Sequence, residues 1–365
     1  MKIAILYHQF VRRGGLEGYL REFSARLSEA GHELVIVTSR IDEEIKPPGS
    51  DVRIIPHALT SRGTLAKFAE RSAAMVPDLK KEVDAVLGFG RTWRQDVHRA
   101  GGGCHWHYSK MLPWWKRWKP KNQLELSLEK KLYTGGETRR FVVNSSKVRA
   151  ELAEAYQVPG DRVSVIHTAV DSTRWRPADP AEGRAELRKK LGIPDDAPAL
   201  LFVSLDHRRK GLAPLLGALR QVPEARLWVA GQSLDSWQGE IDRAGLTKRV
   251  TGLGRTDPLP WCQAADWFVH PTHYDACANT VLQSMASGLP GLISTGDGAS
   301  EFIREGTNGF LLTEPGNADA LADKLKTALA VDAASRLAMG RAARETMLPL
   351  TWSAHLEKWM HAINS

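Results

Sequence analysis

The sequence has few cysteines and no long apolar run. Its 365 residues contain only Cys104, Cys262 and Cys277, which are widely spaced. Such a set favours neither a disulfide framework nor a zinc site, and we expect a reducing compartment. No stretch approaches the roughly 20 consecutive apolar residues of a membrane-spanning helix. A disulfide-stabilised secreted fold and a membrane span are therefore not expected.

Motifs for dinucleotides and for metals are also missing. The first glycine pair, Gly14 and Gly15, does not have the G-x-G-x-x-G spacing of the dinucleotide fingerprint. Asp-x-Asp does not occur, and no His, Asp and Glu residues have metal-ligand spacing along the chain. We therefore expect no metal and no other cofactor.

The charge balance is basic. The 50 Lys and Arg residues exceed the 42 Asp and Glu residues, which gives a net charge of +8. This excess favours an anionic partner, which can be a phosphorylated ligand, an acidic lipid surface or a nucleic acid. The length, with 42% hydrophobic and 25% charged residues, is typical of two globular domains.

Short β-branched runs alternate with amphipathic helical patterns, which predicts α/β domains with parallel sheets covered on both faces. The predicted strands are residues 3–7, 33–38, 52–56, 85–89, 140–144, 163–167, 200–205, 226–230, 267–270, 291–294 and 310–312. Residues 170–180 interrupt the alternation. We therefore expect an N-terminal domain of residues 1–170, a C-terminal domain of residues 171–345 and a final segment, 346–365, that packs back across the domain junction.

That final segment contains a helical pattern, because Trp352, Leu356, Trp359 and Ile363 recur on one face. In two facing α/β domains, ligands normally bind at the carboxyl ends of the strands, in the cleft between the domains. We expect the active site there.

The polar tract after predicted strand 267–270 is the strongest candidate site. Asp275 precedes a helix that is predicted to start at Ala278 or Asn279, and Gln283 lies one turn inside it. Free backbone N–H groups at residues 278–281 would bind a diphosphate. A capped helix with an incidental Asp and Gln is the structural alternative.

Two further loops carry candidate phosphate-binding residues. Arg208, Arg209 and Lys210 follow predicted strand 200–205, where anionic ligands bind in parallel sheets. A solvated basic turn is the alternative. Gly14 and Gly15 follow the first strand and would let the backbone approach a ligand, although a glycine pair is also common in simple turns.

In order and spacing, these motifs resemble the retaining glycosyltransferases of family 4, which have the GT-B fold, over nearly the whole chain. Gly14 and Gly15 match the family's N-terminal glycine loop, and Arg209 and Lys210 match its diphosphate-binding pair. The resemblance implies a donor site composed of Gly14, Gly15, Arg209, Lys210, Gly254, Arg255, Cys277, Ala278, Asn279, Thr280 and Gln283.

Two family positions are substituted. Asp275 and Gln283 occupy the positions of the family's Glu-x7-Glu motif, whose first Glu contacts the donor hexose and whose second contacts the ribose. Asp275 keeps the charge on a shorter side chain, whereas Gln283 is neutral. His105 matches a family histidine beside the reacting carbon. The resemblance thus implies a catalytic set of His105, Asp275, Arg209 and Lys210.

The resemblance implies metal-independent, retaining transfer of a hexose from a nucleotide-diphosphate sugar, with UDP favoured, to a glycolipid or lipopolysaccharide-core acceptor. It also implies a cytoplasmic enzyme at the inner face of the membrane. Three alternatives stay open: a nucleotide-sugar epimerase of the same fold, a non-catalytic nucleotide-sugar-binding protein and a nucleic-acid-binding module.

Residues 106–121 form a basic aromatic segment. Four of the 12 tryptophans lie between residues 106 and 118, and no acidic residue occurs between Asp96 and Glu125. Tryptophan and clustered cations favour an anionic membrane surface. A packed loop with core tryptophans and a single-stranded nucleic-acid site are weaker alternatives. We expect membrane contact through Trp114, Trp115, Lys116, Arg117, Trp118 and Lys119, and no nucleic-acid partner.

Overall fold

The computed structural model describes residues 1–11, 14–56, 64–179, 184–192 and 197–365. The chain divides into two compact units. The first contains Met1–Thr168 and Trp352–Ser365, and the second contains Ala169–Thr351. The sequence places a boundary after residue 170 and a separate segment from residue 346, whereas the units divide after Thr168 and after Thr351.

The first unit contains a parallel sheet in the order β3-β2-β1-β4-β5-β6-β7. Its strands are β1 (Lys2–Leu6), β2 (Glu33–Thr38), β3 (Asp51–Ile54), β4 (Ala85–Phe89), β5 (Gln95–Arg99), β6 (Thr138–Val143) and β7 (Val163–Val165). Its helices include α1 (Gly15–Glu29), α2 (Thr64–Leu79), α3 (His105–Met111), α4 (Trp114–Arg117), α5 (Pro120–Thr134) and α6 (Ser146–Tyr156).

Alternation along β1 explains why this sheet is covered on both faces. Ile3 and Ile5 pack into one hydrophobic cluster, whereas Ala4 and Leu6 pack into another on the opposite face. A central strand of a parallel sheet is buried on both sides and therefore appears as a continuous apolar run.

The second unit contains a parallel sheet in the order β10-β9-β8-β11-β12-β13. Its strands are β8 (Ala199–Ser204), β9 (Arg226–Gly231), β10 (Val250–Gly254), β11 (Trp267–His270), β12 (Gly291–Ser294) and β13 (Gly309–Leu312). Its helices include α7 (Arg184–Lys190), α8 (Leu212–Leu219), α9 (Gln238–Arg243), α10 (Leu259–Ala264), α11 (Asn279–Ala286), α12 (Ala318–Leu329) and α13 (Ala333–Met347).

The structure confirms the predicted parallel α/β architecture but contains two strands that the sequence analysis missed. β5 carries Gln95, His98 and Arg99, which are polar yet buried, so its sequence does not have the apolar pattern of a strand. β10 lies at the edge of its sheet, next to β9, and contains two glycines in its five residues. Both strands are determined by their neighbours in the sheet rather than by local propensity.

The chain ends in helix α14 (Trp352–Asn364), as the helical pattern predicts. This helix belongs to the first unit, where the Trp359 ring packs 4.9 Å from Phe23 and 6.1 Å from Phe89, measured between centroids. The segment therefore completes the core of a unit whose other residues, Met1–Thr168, all precede the second unit in the sequence.

A buried histidine fixes α14 to the rest of its unit. The Trp359 indole N–H donates to His355 Nε2 at 3.1 Å, so Nε2 is an acceptor and the proton resides on Nδ1. His355 Nδ1 in turn lies 2.8 Å from the His167 carbonyl oxygen and donates to it. Burial, with a smaller contribution from the Arg99 charge, lowers the pKa of His355 to about 3. The imidazole is therefore neutral in the folded unit.

We predict that the first unit loses stability in acid because of His355. Its pKa is about 3 when folded and about 6.5 in an unfolded chain. Below pH ~6.5 the unfolded chain binds a proton that the folded unit does not, so the free energy of unfolding falls by about 1.4 kcal/mol per pH unit. Above that pH neither state binds the proton, and this contribution is constant.

Urea denaturation of wild type and His355→Gln at about pH 7 and about pH 5 checks this prediction. The variant should be less stable at the higher pH but should lose less stability on acidification. His361→Gln, on the exposed side of the same helix, is the matched control. Equal acid sensitivity of all three proteins would show that His355 does not cause the effect.

Candidate active site

The carboxyl ends of β8 and β11 form the switch point of the second sheet. The two strands are neighbours, but β9 follows on one side and β12 on the other, so their connections leave in opposite directions. Ligands of open α/β sheets bind in the crevice that forms at such a point. The loops after Ser204 and His270 therefore lie where a ligand is expected.

The three consecutive cations after β8 have different surroundings. The Arg209 guanidinium lies 3.4 Å from the Asp275 carboxylate, and the Lys210 ammonium forms an ion pair with the same carboxylate. Arg208 is exposed and lies 5.7 Å from the centroid of the Trp237 ring. Arg209 and Lys210, the predicted diphosphate pair, thus meet Asp275, and Arg208 does not.

Lys210 lies in a buried cluster of charges. Its Nζ is 3.4 Å from His270 Nε2, which is 3.2 Å from Asp297 Oδ2. Burial lowers the pKa of the Lys210 ammonium, and the negative charge of Asp297 opposes this shift. Burial and then the Lys210 charge lower the pKa of His270 to about 4, so this imidazole is neutral at neutral pH.

Asp297 is a site residue that the sequence analysis missed. Its Oδ1 accepts hydrogen bonds from the N–H of Ala299 at 2.8 Å and of Ala278 at 3.0 Å. The carboxylate thus caps the 3₁₀ helix Gly298–Phe302 and also fixes the start of α11. The available signal was an Asp three residues after the end of a buried strand and next to a glycine, a sequence that is typical of a turn with an N-cap.

The first turn of α11 offers fewer free N–H groups than predicted. The helix begins at Asn279, as expected. However, the Ala278 N–H donates to Asp297, and the Val281 N–H donates to the Ala278 carbonyl oxygen at 3.0 Å. Within the described part of the chain, Asn279 and Thr280 keep N–H groups without a hydrogen-bond partner. The predicted anion site is therefore narrowed to these two residues.

The remaining predicted donor contacts of the second unit have mixed exposure. Gln283 is partly exposed on α11, whereas the Cys277 side chain is buried and leaves only backbone groups for a ligand. β10 ends at Gly254, whose φ of 63° favours glycine, and the following Arg255 is exposed. The contact of these residues with a donor stays a prediction.

The glycine pair of the first unit opens helix α1. Gly14 is the N-cap with a φ of 104°, and the Glu17 carboxylate fills the space that a side chain at Gly14 would need. The Tyr7 hydroxyl donates to Glu17 Oε1 at 2.9 Å and holds the carboxylate there. Gly15, the first helical residue, has open space around its Cα. An anion could approach α1 at Gly15.

His105, the first residue of α3, is held by one face of α5. Its Nε2 lies 2.8 Å from Asn122 Oδ1, and its Nδ1 lies 3.4 Å from Glu125 Oε2. The buried Glu129 carboxylate accepts hydrogen bonds from the N–H of His105 at 2.7 Å and of Trp106 at 2.9 Å. The structure thus surrounds His105 with residues of its own unit, and its role at the transferred sugar stays a prediction.

The basic aromatic segment forms α3, α4 and the start of α5. Trp114, Trp115 and Trp118 are 71%, 55% and 74% exposed, so the interpretation of these three as core residues is wrong. Trp106 is partly buried, and the Lys110 ammonium lies 3.2 Å above its ring. Among the described residues, no helix has both the length and the apolar content needed to cross a bilayer.

The cations of this segment fall into two groups. Arg117 donates to the carbonyl oxygens of Leu112, at 2.9 Å, and Lys110, so its guanidinium closes the turn between α3 and α4. Lys110 also lies 3.5 Å from the Glu154 carboxylate. Among the described residues of this segment, the exposed cations whose side chains form neither an ion pair nor a hydrogen bond are Lys116, Lys119 and Lys121.

Two parallel α/β units, with cations and helix N–H groups at a sheet switch point, define a glycosyltransferase of the GT-B type. Residues 13–174 match the family described as Glycosyltransferase Family 4, and residues 183–346 match Glycosyl transferases group 1. The chain belongs to these glycosyltransferase families. This membership favours sugar transfer over epimerisation.

Relatives and solved structures cover nearly the whole chain. Lipopolysaccharide glucosyltransferase WaaG of Escherichia coli is 23% identical over 342 residues, 90% of each chain. A D-inositol 3-phosphate glycosyltransferase of Thermobispora bispora is 27% identical over 348 residues, 82% of this chain and 78% of the relative. The crystal structure of WaaG, with 21% identity, has a TM-score of 0.83 over 99% of this chain and 98% of its own. HepE of Anabaena, solved with UDP and glucose, has 19% identity and a TM-score of 0.78 over 100% and 99%.

We predict that Asp297→Ala destabilises the second unit by about 3 kcal/mol. The change leaves the Ala278 and Ala299 N–H groups without their acceptor and removes a buried charge beside Lys210. Asp206→Ala is the matched control, because that carboxylate is half exposed beside Arg209 and its loss should cost about 0.5 kcal/mol or less. Urea denaturation compares them, and similar losses would contradict a structural role for Asp297.

Proposed function

We propose that this glycosyltransferase moves a hexose, with retention at the anomeric carbon, from a nucleotide-diphosphate sugar to a glycolipid or lipopolysaccharide-core saccharide. A UDP-sugar is the favoured donor. The observation that carries the proposal is the convergence of Arg209, Lys210 and the α11 N-terminus at one switch point. The names of two similar proteins support it, since WaaG is a lipopolysaccharide glucosyltransferase and HepE was solved with UDP and glucose.

The proposed reaction breaks the bond between the anomeric carbon and the phosphate oxygen. The acceptor hydroxyl attacks from the same face, and its proton leaves with the departing diphosphate. Arg209, Lys210 and the N–H groups of Asn279 and Thr280 neutralise the charge that develops on the diphosphate. The N–H groups of Asn279 and Thr280 are fixed by the first turn of α11, so they stabilise the leaving group without reorganisation.

In this proposal Asp275 contacts the two cations before the donor binds and the donor hexose afterwards. In the structure its carboxylate is bound by Arg209 and Lys210. A diphosphate would compete for both cations, and the carboxylate would then be released towards the hexose hydroxyls. The proposal keeps transfer independent of metal ions, because these cations already supply positive charge where the diphosphate would bind. His105 keeps its proposed place beside the transferred sugar.

We predict that Lys210→Ala and Arg209→Ala each weaken UDP binding about tenfold or more, because a charge-assisted hydrogen bond contributes about 1.5–3 kcal/mol. Arg208→Ala, which removes the exposed neighbouring cation, should bind UDP like wild type. Asp275→Asn should bind UDP at least as tightly as wild type but transfer sugar much more slowly.

Calorimetry with UDP, GDP and ADP in the presence of EDTA, together with sugar-release assays on their hexose conjugates, tests these outcomes. Binding of one nucleotide that is weakened in Lys210→Ala but unchanged in Arg208→Ala identifies the nucleotide of the donor. No binding of any nucleotide would overturn the proposed donor site. Binding without transfer under any condition would favour the non-catalytic alternative.

The proposal that the acceptor is bound to a membrane rests on the basic aromatic segment. Three exposed indoles on and next to α4 are flanked by the exposed ammonium groups of Lys116, Lys119 and Lys121. Indoles favour the membrane interface, and each lysine near an anionic leaflet contributes about 1 kcal/mol. The segment would dock the enzyme on the inner face of the cell membrane, where a lipid-linked acceptor is available.

We predict that replacing Lys116, Lys119 and Lys121 together by Gln weakens binding to anionic vesicles roughly a hundredfold, from about 3 kcal/mol of lost attraction. Arg117 is left unchanged, because its guanidinium closes the α3–α4 turn. Co-sedimentation with anionic vesicles, which contain about 30% phosphatidylglycerol, and with neutral vesicles of phosphatidylcholine alone measures the effect.

The matched control replaces three exposed lysines of the second unit, Lys189, Lys190 and Lys248, by Gln. Both variants have the same net charge, so only the location of the lost charge differs. If the two variants lose equal affinity, attraction is due to overall charge and the docking segment is rejected.

A further inference from the structure

Three potential metal ligands converge in the second unit, although the sequence shows no metal-ligand spacing. His270 ends β11, Asp275 lies in the following loop, and Asp297 follows β12. Their ligand atoms all lie within 4.8 Å of one another. His270 and Asp297 are fully buried, and the Asp275 side chain is 16% exposed. The sequence shows no metal-ligand spacing because Asp275 and Asp297 follow two different strands and lie 22 positions apart.

A cation of the chain itself lies among these ligands. The Lys210 ammonium forms an ion pair with Asp275, lies 3.4 Å from His270 Nε2 and is attracted by the Asp297 charge. Its side chain is 11% exposed. An ammonium is a compact point charge with three donors and no acceptor, so it suits a cluster of oxygen and imidazole acceptors.

Charge balance makes Lys210 necessary. Asp275 and Asp297 carry two negative charges, and Lys210 and Arg209 carry two positive charges. Arg209 contacts Asp275 but not Asp297, is also paired with the half-exposed Asp206, and is itself more exposed, at 31% of its side chain. Without Lys210, a buried carboxylate would lack its counter-charge, which is strongly unfavourable. A divalent cation could restore the balance, and an imidazole with two carboxylates is a ligand set that Zn²⁺ and Mn²⁺ accept.

We propose that His270, Asp275 and Asp297 form a divalent-cation site whose resident cation is the Lys210 ammonium. Removing that ammonium opens the site to Mn²⁺ or Zn²⁺. In the native protein, a covalently attached cation takes the position of a diffusible one. The role of this cation in catalysis rests on the proposed function. During sugar transfer, a charge carried on Lys210 would stay in the site when the nucleotide product leaves.

The test is a Mn²⁺ titration of Lys210→Ala without nucleotide, followed by the loss of the free-ion electron paramagnetic resonance signal. We expect the variant to bind one Mn²⁺ at least about tenfold more tightly than wild type, a difference of about 1.4 kcal/mol or more. The double variant Lys210→Ala with Asp275→Ala should lose this gain. Arg208→Ala, which removes the exposed neighbouring cation, should behave like wild type.

A folded Lys210→Ala protein that binds Mn²⁺ no better than wild type overturns the proposal, as does tight binding by wild type. If Lys210→Ala does not fold, it is refolded with and without Mn²⁺. Recovery only with the ion supports the site, and equal yields reject it. The titration contains no nucleotide, so its outcome does not depend on the proposed function. If wild type binds no nucleotide sugar, the proposed function is overturned, and the Mn²⁺ titration alone decides whether the cation site exists.

Discussion

Four charged side chains at the carboxyl end of the second sheet have to balance, because most of their surface is removed from water. Arg209 and Lys210 come from the loop after β8, Asp275 from the loop after β11, and Asp297 from the loop after β12. Their attraction therefore holds three separate loops together at the switch point. Asp297 extends this arrangement into α11 through the Ala278 N–H. The positions of the cations, of the helix N-terminus and of the predicted hexose contact thus depend on one buried set of charges.

In the first unit, buried polar groups, both neutral and charged, also hold separate elements together. Buried Glu129 satisfies two N–H groups at the start of α3, and α5 thereby carries both the support for His105 and the end of the basic aromatic segment. His355 satisfies the Trp359 N–H and attaches α14 to the loop that contains His167. Buried polar groups of this kind are costly unless they are hydrogen-bonded, so they specify one arrangement of the helices around the sheet.

Sequence patterns predicted most of the fold, and the exceptions have physical causes. Central parallel strands such as β8 and β11 are apolar on both faces and are therefore visible in the sequence. β5 was missed because its buried residues include Gln95 and His98. Gln95 donates to Thr138 on the neighbouring strand and lies 3.4 Å from His98 Nδ1. In the candidate site, Asp275 and the cations were found because they lie next to recognisable strand ends. Asp297 was missed because its contacts with Ala278 and His270 are made with residues 19 and 27 positions earlier in the sequence.

The sequence by itself determined the α/β class, the resemblance to family 4 glycosyltransferases, the start of α11 and the unusual composition of residues 106–121. Tertiary structure decided which two of three consecutive cations meet Asp275, that the Ala278 N–H is already occupied, and that three tryptophans are exposed while Trp359 is core. It also decided that His270, Asp275 and Asp297 surround one ammonium. The reason is that propensity and periodicity act between neighbours along the chain. Side-chain direction and burial instead depend on residues that only the sheet brings together.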